Sequence, residues 1–419
     1  MVCQKIKLRN KNLFTNNEMV SVVQLEQYKK ELNIELSSIL KFWQENTIDN
    51  EFGGFYGKLD NSNNVFAGAP KGSVLNSRIL WTFSAAYNLT ANSDYLKTAE
   101  RAFGYFVDHF IDKKYGGVYW SVDYKGDPFD AKKQFYALSF AIYGLSEYYQ
   151  CTKNKEAKVL AIKLYNLIIE HSYDTANGGY IEALSEDWKE IDDLRLSKKD
   201  ANEKKSMNTH LHVLEGFANL YRIWPDEVLK KKIAELIYIF LDHIIDKKTN
   251  HLVLFFDEKW NLKSNIISYG HDIEAAWLMQ EAAKVIRDHE LVEIIKIKSV
   301  EIANAAAEGL DKDGGLWYEH NADENHLIKE KHSWPQAESM IGFFNAWQIS
   351  SDEKYLQKSI SSWRFVKEHI LDKKNGEWFW GVKENYSLMK EDKVGIWKCP
   401  YHNSRACIEL INRINKIEK

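Results

Sequence analysis

Three histidines and an arginine, His271, His402, His212 and Arg78, are the side chains of this 419-residue sequence best suited to moving protons. An imidazole titrates near neutrality. One neutral ring can therefore take a proton from a carbon beside a carbonyl while a second, protonated, returns one from the opposite face. The enediolate that develops between the two steps needs a fixed positive donor, and Arg78 is the candidate. Such two-base chemistry inverts a stereocentre with no cofactor. Beside these stand polar groups at matching places along the chain: Tyr136 with Gln134, Asn208 with His212, His271 with Glu274, Trp334 with Glu338, and His402 with Arg405.

Helical spacing adds local expectations. Asn208, His212 and Glu215 lie at i, i+4 and i+7, one stripe of a helix. His271 and Glu274 at i, i+3 can meet, which would let Glu274 fix the imidazole tautomer and raise its pKa. Trp334 and Glu338 at i, i+4 offer a stacking platform beside an acceptor. His210 and His212 are two apart and point to different sides of a helix, which argues against a metal site. His320, His326 and His332 fall in a polar run and read as solvent-exposed.

What could bring the chemical residues together is a repeat. An aspartate followed about four residues later by Gly-Gly or its remnant, and then by aromatics, recurs at Asp49, Asp112, Asp174, Asp246, Asp311 and Asp372. One helix set carries capped starts and apolar periodicity over 93–110 and 351–370, with similar runs near 24–44, 155–170 and 226–244. A second set covers about 74–89, 134–150, 208–222, 271–287, 334–348 and 402–415, and the chemical residues sit at or near its N-termini. Each period thus holds two helices and a short β-hairpin-like turn, for which Gly-Gly supplies positive φ. Six helical hairpins can stack as an open solenoid or close as an (α/α)6 barrel. The solenoid wants polar capping repeats, so the barrel is expected, as a single domain over 24–419 behind a loose leader over 1–23. Met19 is a candidate start. The charged insertion 186–205 reads as a flexible loop over the site.

Composition removes other classes. Lys plus Arg is 56 against 60 Asp plus Glu, a net charge of −4 with no basic excess for nucleic acid. No apolar run is long enough to span a membrane. Four scattered cysteines without a framework, and no apolar signal run, point to the cytoplasm. No dinucleotide fingerprint, phosphate loop or nucleophile elbow occurs. The 14 Trp suit either sugar faces or a large core.

Four runs carry a specific likeness: KSMNTHLHVLEGFANLYR (205–222), SYGHDIEAAWL (268–278), SWPQAESMIGF (333–343) and KCPYHNSRAC (398–407). In these the chain resembles the cellobiose 2-epimerases of the N-acylglucosamine 2-epimerase superfamily, over about residues 24 to 415. The resemblance implies a cytosolic, cofactor-free (α/α)6 barrel. It also implies epimerisation of the reducing-end glucose of β-1,4 disaccharides (cellobiose, lactose or mannobiose) to mannose, through ring opening and a cis-enediolate. It assigns His271 and His402 as the acid/base pair, Arg78 to the enediolate, and His212 with Asn208 to ring opening and the C1 region. Glu274 and Glu338 become hydrogen-bonding carboxylates and Tyr136 a pocket tyrosine. Trp277, Trp334 and Trp397 become aromatic walls, Trp397 stacking on the non-reducing sugar. Ser333 departs from the pattern, since many relatives carry Trp there. Rival readings are an aldose–ketose isomerase using the same enediolate, a glycoside hydrolase built on Glu274 and Glu338, and a non-catalytic sugar- or nucleotide-binding protein, against which the set of ionisable residues argues. The expected partner is a small disaccharide, with neither nucleic acid nor membrane, and the expected state a monomer, with a dimer as the alternative.

Overall fold

The computed structural model describes residues 16–417, with side chains from residue 23. Twelve long helices alternate along the chain: α1 (Asn16–Asn46), α2 (Ser73–Thr90), α3 (Ser93–Tyr105), α4 (Phe135–Thr152), α5 (Lys155–His171), α6 (Met207–Ile223), α7 (Glu227–Ile239), α8 (Tyr269–Val285), α9 (His289–Ala306), α10 (Ser333–Ser350), α11 (Glu353–Phe365) and α12 (Tyr401–Ile417). Helix α9 completes the outer set that periodicity alone marks at five places. The even-numbered helices pack each on the next, and α12 packs back on α2, so the ring is closed. Each odd-numbered helix covers the inner helix that follows or precedes it, α1 lying on α12. This is the (α/α)6 barrel.

The two helix sets differ as their places require. Inner helices α2, α4 and α10 are buried along most of their length and mainly apolar, as buried helices must be. The outer helices start on side-chain caps: Asn92, Asn154, Asp226, Asp288 and Asp352 each accept a backbone N–H of the first turn. Inner helices α2, α4, α8 and α10 begin without such a cap, directly from two- or three-residue strands. The repeat aspartates explain the turns. Asp49, Asp112, Asp174, Asp246 and Asp372 each accept the N–H groups two and three residues on through Oδ1. In five repeats the other oxygen, Oδ2, takes a lysine ammonium: Lys71 on Asp49 at 2.7 Å, Lys133 on Asp112 at 2.6 Å, Lys205 on Asp174 at 2.8 Å, Lys331 on Asp311 at 2.7 Å and Lys393 on Asp372 at 2.5 Å. These clasps tie each turn to the segment that launches the next inner helix.

Several histidines belong to the scaffold. His171, His243 and His369 stack on Trp188, Trp260 and Tyr386, each seventeen residues downstream, and His109 bonds the carbonyl of Gly126 at the same offset. His210 is buried as an anchor, its Nε2 accepting the Tyr180 N–H at 2.9 Å, in keeping with its exclusion as a ligand. Two expectations need correction. The leader expected over 1–23 is helix from Asn16 onward, and its first fifteen residues lie outside the described residues. His332 is buried, because it stacks on Tyr318 with ring centres 3.9 Å apart and bonds Glu330. Only His320 and His326 of that run keep solvent contact.

The clasps yield a stability test. Lys133→Met would leave Asp112 buried without its cation, and breaking a buried pair from one side costs on the order of 3 kcal/mol. The urea midpoint should fall accordingly, with no change in the slope of the transition.

Candidate active site

Because all six inner helices start at the same end of the barrel, their first turns ring one cavity of about 600 Å³. Arg78 on α2, Tyr136 on α4, Asn208 and His212 on α6, His271 and Glu274 on α8, Trp334 on α10 and His402 on α12 all line it, with Trp397 from the preceding loop. The insertion lies across the mouth, where Leu196 to Asp200 join the lining. Gln134 does not face the ligand space. Its amide donates to the carbonyls of Leu194 (3.1 Å) and Arg195 (3.0 Å) and so pins that insertion. A larger cavity, about 980 Å³, opens at the opposite end among the C-terminal halves of the inner helices. Its described lining holds no histidine; Glu215 and Trp277 form the floor between the two.

Beneath the cavity Arg405, fully buried, gathers carboxylates from three other helices. It donates to Glu274 and Glu338 at 2.6 Å each and also to Glu215 and the Tyr401 hydroxyl. Trp277 stacks under its guanidinium and donates Nε1–H to Glu338 at 3.0 Å. Trp277 is thus a support beneath the floor, absent from the cavity lining. Glu274, Glu338 and His402 lie within 4.8 Å of one another, near enough to suit a cation, and Arg405 supplies one.

The three imidazoles share one arrangement. Nδ1 of His402 is held by Glu338 at 2.7 Å, Nδ1 of His212 by Glu215 at 2.9 Å and Nδ1 of His271 by Ser268 Oγ at 2.8 Å. In each case Nε2 is left for the cavity. The expected His271–Glu274 pair does not form, since Arg405 claims Glu274, and Ser268 fills the place instead. Nor is the His271 pKa raised: burial pushes it down to about 3, with the His212 charge adding to the effect. His402 is likewise lowered by burial and then by Arg78 and Arg405, and His212 by burial. The direction of all three shifts suits rings that act as neutral bases.

The carboxylates divide. Burial opposes ionisation of Glu215, yet Arg405 and His212 hold it down to about 2. Glu274 is pushed up to about 8 by burial and by the Glu338 charge, and burial raises Glu338 also. Arg78 donates to Tyr136 Oη at 2.9 Å and lies over the Phe140 ring at 4.1 Å, near Cys399 Sγ at 3.8 Å. Its Nε and the Asn208 Oδ1 are buried without protein partners. Trp334 touches both candidate bases, its ring centre 4.7 Å from His271 and 5.6 Å from His402. Trp397 meets Tyr136 at 5.9 Å and Trp120 at 5.6 Å.

Sequence spacing missed Glu215, Tyr401 and Arg405 as a unit, and Ser268 and Cys399 altogether. The signal for the first was present: Glu215 lies three residues after His212 and Arg405 three after His402, one turn below each imidazole.

Comparison with known proteins bears on the family and the fold. Residues 54–406 match the N-acylglucosamine 2-epimerase (GlcNAc 2-epimerase) family. The chain is 49% identical over 385 residues to a cellobiose 2-epimerase of Bacteroides fragilis, covering 91% of this chain and 98% of that one. It is 40% identical over 382 residues to one of Dictyoglomus turgidum, covering 90% and 96%. The structure of cellobiose 2-epimerase from Bacillus thermoamylovorans superposes with a TM-score of 0.88 at 39% identity, covering 93% of this chain and all of that one. The chain belongs to the N-acylglucosamine 2-epimerase family.

Proposed function

We propose that this protein is a disaccharide 2-epimerase that interconverts glucose and mannose at the reducing end of a β-1,4-linked disaccharide such as cellobiose. One observation carries the reading. His271 and His402 stand on α8 and α12, either side of Trp334 on α10, and each is fixed at Nδ1 so that Nε2 faces the sugar space.

The steps follow from the groups present. His212, oriented by Glu215, faces the C1 hydroxyl and ring oxygen and transfers the proton that opens the ring, with Asn208 Oδ1 accepting a hydroxyl. One imidazole of the His271/His402 pair, neutral because burial has lowered its pKa, takes the C2 proton. The enediolate oxygens meet Arg78 and the six inner-helix N-termini, whose dipoles add positive potential at this mouth of the barrel. Rotation about C2 relative to the bases is unnecessary, because the second imidazole protonates the opposite face. His402 and Glu338 act as a unit: Glu338 orients the ring through Nδ1, and the proton that the adjoining Glu274–Glu338 pair shares, with Glu274 pushed up to about 8, can pass to Nδ1 as Nε2 gives one to C2. The back reaction exchanges the roles. Tyr136, Trp334 and Trp397 supply flat surfaces for the two sugars, and the small Ser333 leaves room beside Trp334 for the distal one. The free thiols of Cys151, Cys399 and Cys407 suit a reducing cytoplasm, and among the described residues no helix is long and apolar enough to cross a membrane.

In heavy water with cellobiose and no added metal, NMR should detect a glucosyl-mannose carrying deuterium at C2. Free glucose would mean hydrolysis, and a ketose as main product would mean isomerisation. His271→Ala and His402→Ala should each stop C2 exchange while leaving sugar affinity nearly intact; turnover at the parent rate in either would sink the two-base reading. Glu338→Gln keeps the contact to His402 without a titratable proton, so kcat should fall by about 10²- to 10⁴-fold with KM little changed. The pH profile has a definite sign. With both bases depressed, kcat/KM should stay level as pH falls through the ordinary imidazole value. It should decline on the alkaline side as the Glu274–Glu338 pair, with Glu274 pushed up to about 8, loses the proton that supplies Nδ1 of His402. A chelator should leave the rate unchanged, since Arg405 already stands among the clustered carboxylates.

A further inference from the structure

The fourth repeat departs from the others at one place, directly behind His271. Five repeats clasp their turn with a lysine, but Ile267 stands where Lys71, Lys133, Lys205 and Lys331 precede their helices by two residues. Three of the inner helices use their fourth residue as a second tie to the turn. His210 on α6 accepts the Tyr180 N–H at 2.9 Å, and Gln336 on α10 accepts that of Leu316 at 2.7 Å. On α8 the fourth residue is Asp272, whose Oδ1 accepts the Leu252 N–H at 2.8 Å. Its Oδ2 takes Nδ1 of His251 at 2.7 Å.

The third and fourth repeats are steric complements. A Cβ at Gly179 would come within 2.7 Å of the His210 ring, so that turn position must be glycine. In the fourth repeat the helix carries the smaller Asp272, and the matching turn position can hold the imidazole of His251. The ring has moved from helix to turn, and the helix has gained a charge. Asp272 is fully buried and His251 nearly so. A carboxylate there needs a cation, and His251 is the one present. Its other neighbours are Glu308, 3.4 Å from Nε2, and the edge of Tyr269, while Lys298 is engaged with Asn250. Burial works against protonation of His251, but Asp272 and Glu308 carry its pKa above the usual value.

We propose that the Asp272–His251 pair is the positioning device for His271: it fixes the first turn of α8 against the fourth turn and thereby sets where the neighbouring imidazole meets the C2 proton. Among the described residues the hydrogen-bond partner of His271 is the neutral Ser268, with Trp334 against the ring, whereas His402 and His212 are each held by a carboxylate. The charge that orients the third imidazole therefore acts one residue away, through the backbone. Displacement of about 1 Å at a reacting group costs roughly 10²-fold in rate.

The inference rests on His271 being one of the two bases. Its test is the rate of C2 deuterium incorporation from cellobiose by the full chain, with kcat and KM separated. Asp272→Ala should lower kcat about 100-fold with KM within about threefold, and Asp272→Asn, which keeps the acceptor for the Leu252 amide, should recover at least about tenfold of that loss. His251→Ala should lower kcat with KM likewise retained. Lys133→Met serves as the comparison, losing stability while keeping kcat. An Asp272→Ala protein that behaves like Lys133→Met, less stable but equally fast, overturns the positioning role. Should Asp272→Ala fail to fold, His251→Ala and Asp272→Asn decide, and parent kcat in both overturns it. If His271→Ala itself proves active, the base assignment falls and the positioning role with it; a dead His271→Ala beside fully active pair variants removes the positioning role alone.

Discussion

A guanidinium buried from water must find anions, and Arg405 finds three of them on three different helices. Burying one cation among three carboxylates is unfavourable unless every partner is tightly placed and some of the negative charge is discharged. Both conditions are met. The planar fork of Arg405 spans Glu215 on one side and Glu274 with Glu338 on the other, a geometry that a lysine could not supply. The excess charge is relieved by the proton that Glu274 and Glu338 retain, by the neighbouring Arg78 and by the inward N-termini. Two of the three carboxylates then turn their second function to an imidazole, Glu338 to His402 and Glu215 to His212. Site and ring closure are thus one network, and substitution at Arg405 would disturb both.

The fold was largely legible, and the reasons are physical. A period near 63 residues is visible because each repeat must solve the same problem, turning the chain and launching a helix, with the same Asp and Gly-Gly chemistry. The ring of first-turn residues was legible for the same reason: equivalent positions in a closed repeat must meet. What the linear pattern could not give is partnership across the barrel. Arg405 is 131 residues from Glu274 and 190 from Glu215. Against such contacts a nearby i, i+3 pairing such as His271 with Glu274 looks plausible and is wrong, because Arg405 competes for the same carboxylate. His332 misled for a related reason. Its sequence neighbours are polar, yet the strand it ends and the ring of Tyr318 bury it. The lysine clasps were readable in principle, since four of the five lie 20 to 22 residues after their aspartates, but a lysine in a charged sequence carries no mark of burial.

The two ends of the barrel have different physics. At the mouth ringed by the imidazoles the inner helices present their N-termini, the positive ends of their dipoles, beside the buried guanidinium of Arg78. At the other end the same helices present carbonyls, and the cavity there is rimmed by Arg222, Lys284, Arg287, Arg413 and Lys416, cations suited to helix C-termini. Direction of the helices therefore gives the two mouths opposite dipole potentials.

Closure of the ring also sets an order of events during synthesis. Helix α1 is made first, but its apolar face rests on α12, and its ties reach Ser359 from Tyr28, Trp363 from Glu31 and Glu377 from Trp43. Most of the barrel can assemble from contacts between successive hairpins as they leave the ribosome, which keeps sequence separation short and folding fast. The first helix, by contrast, must wait with Leu25, Leu32, Leu36 and Ile39 uncovered until the last two have emerged. The apolar stripe of α1 thus stays without its partner until α12 is made, which is where a chaperone would act. His402 and Arg405 stand on that same α12, so the ring and the candidate site are completed together.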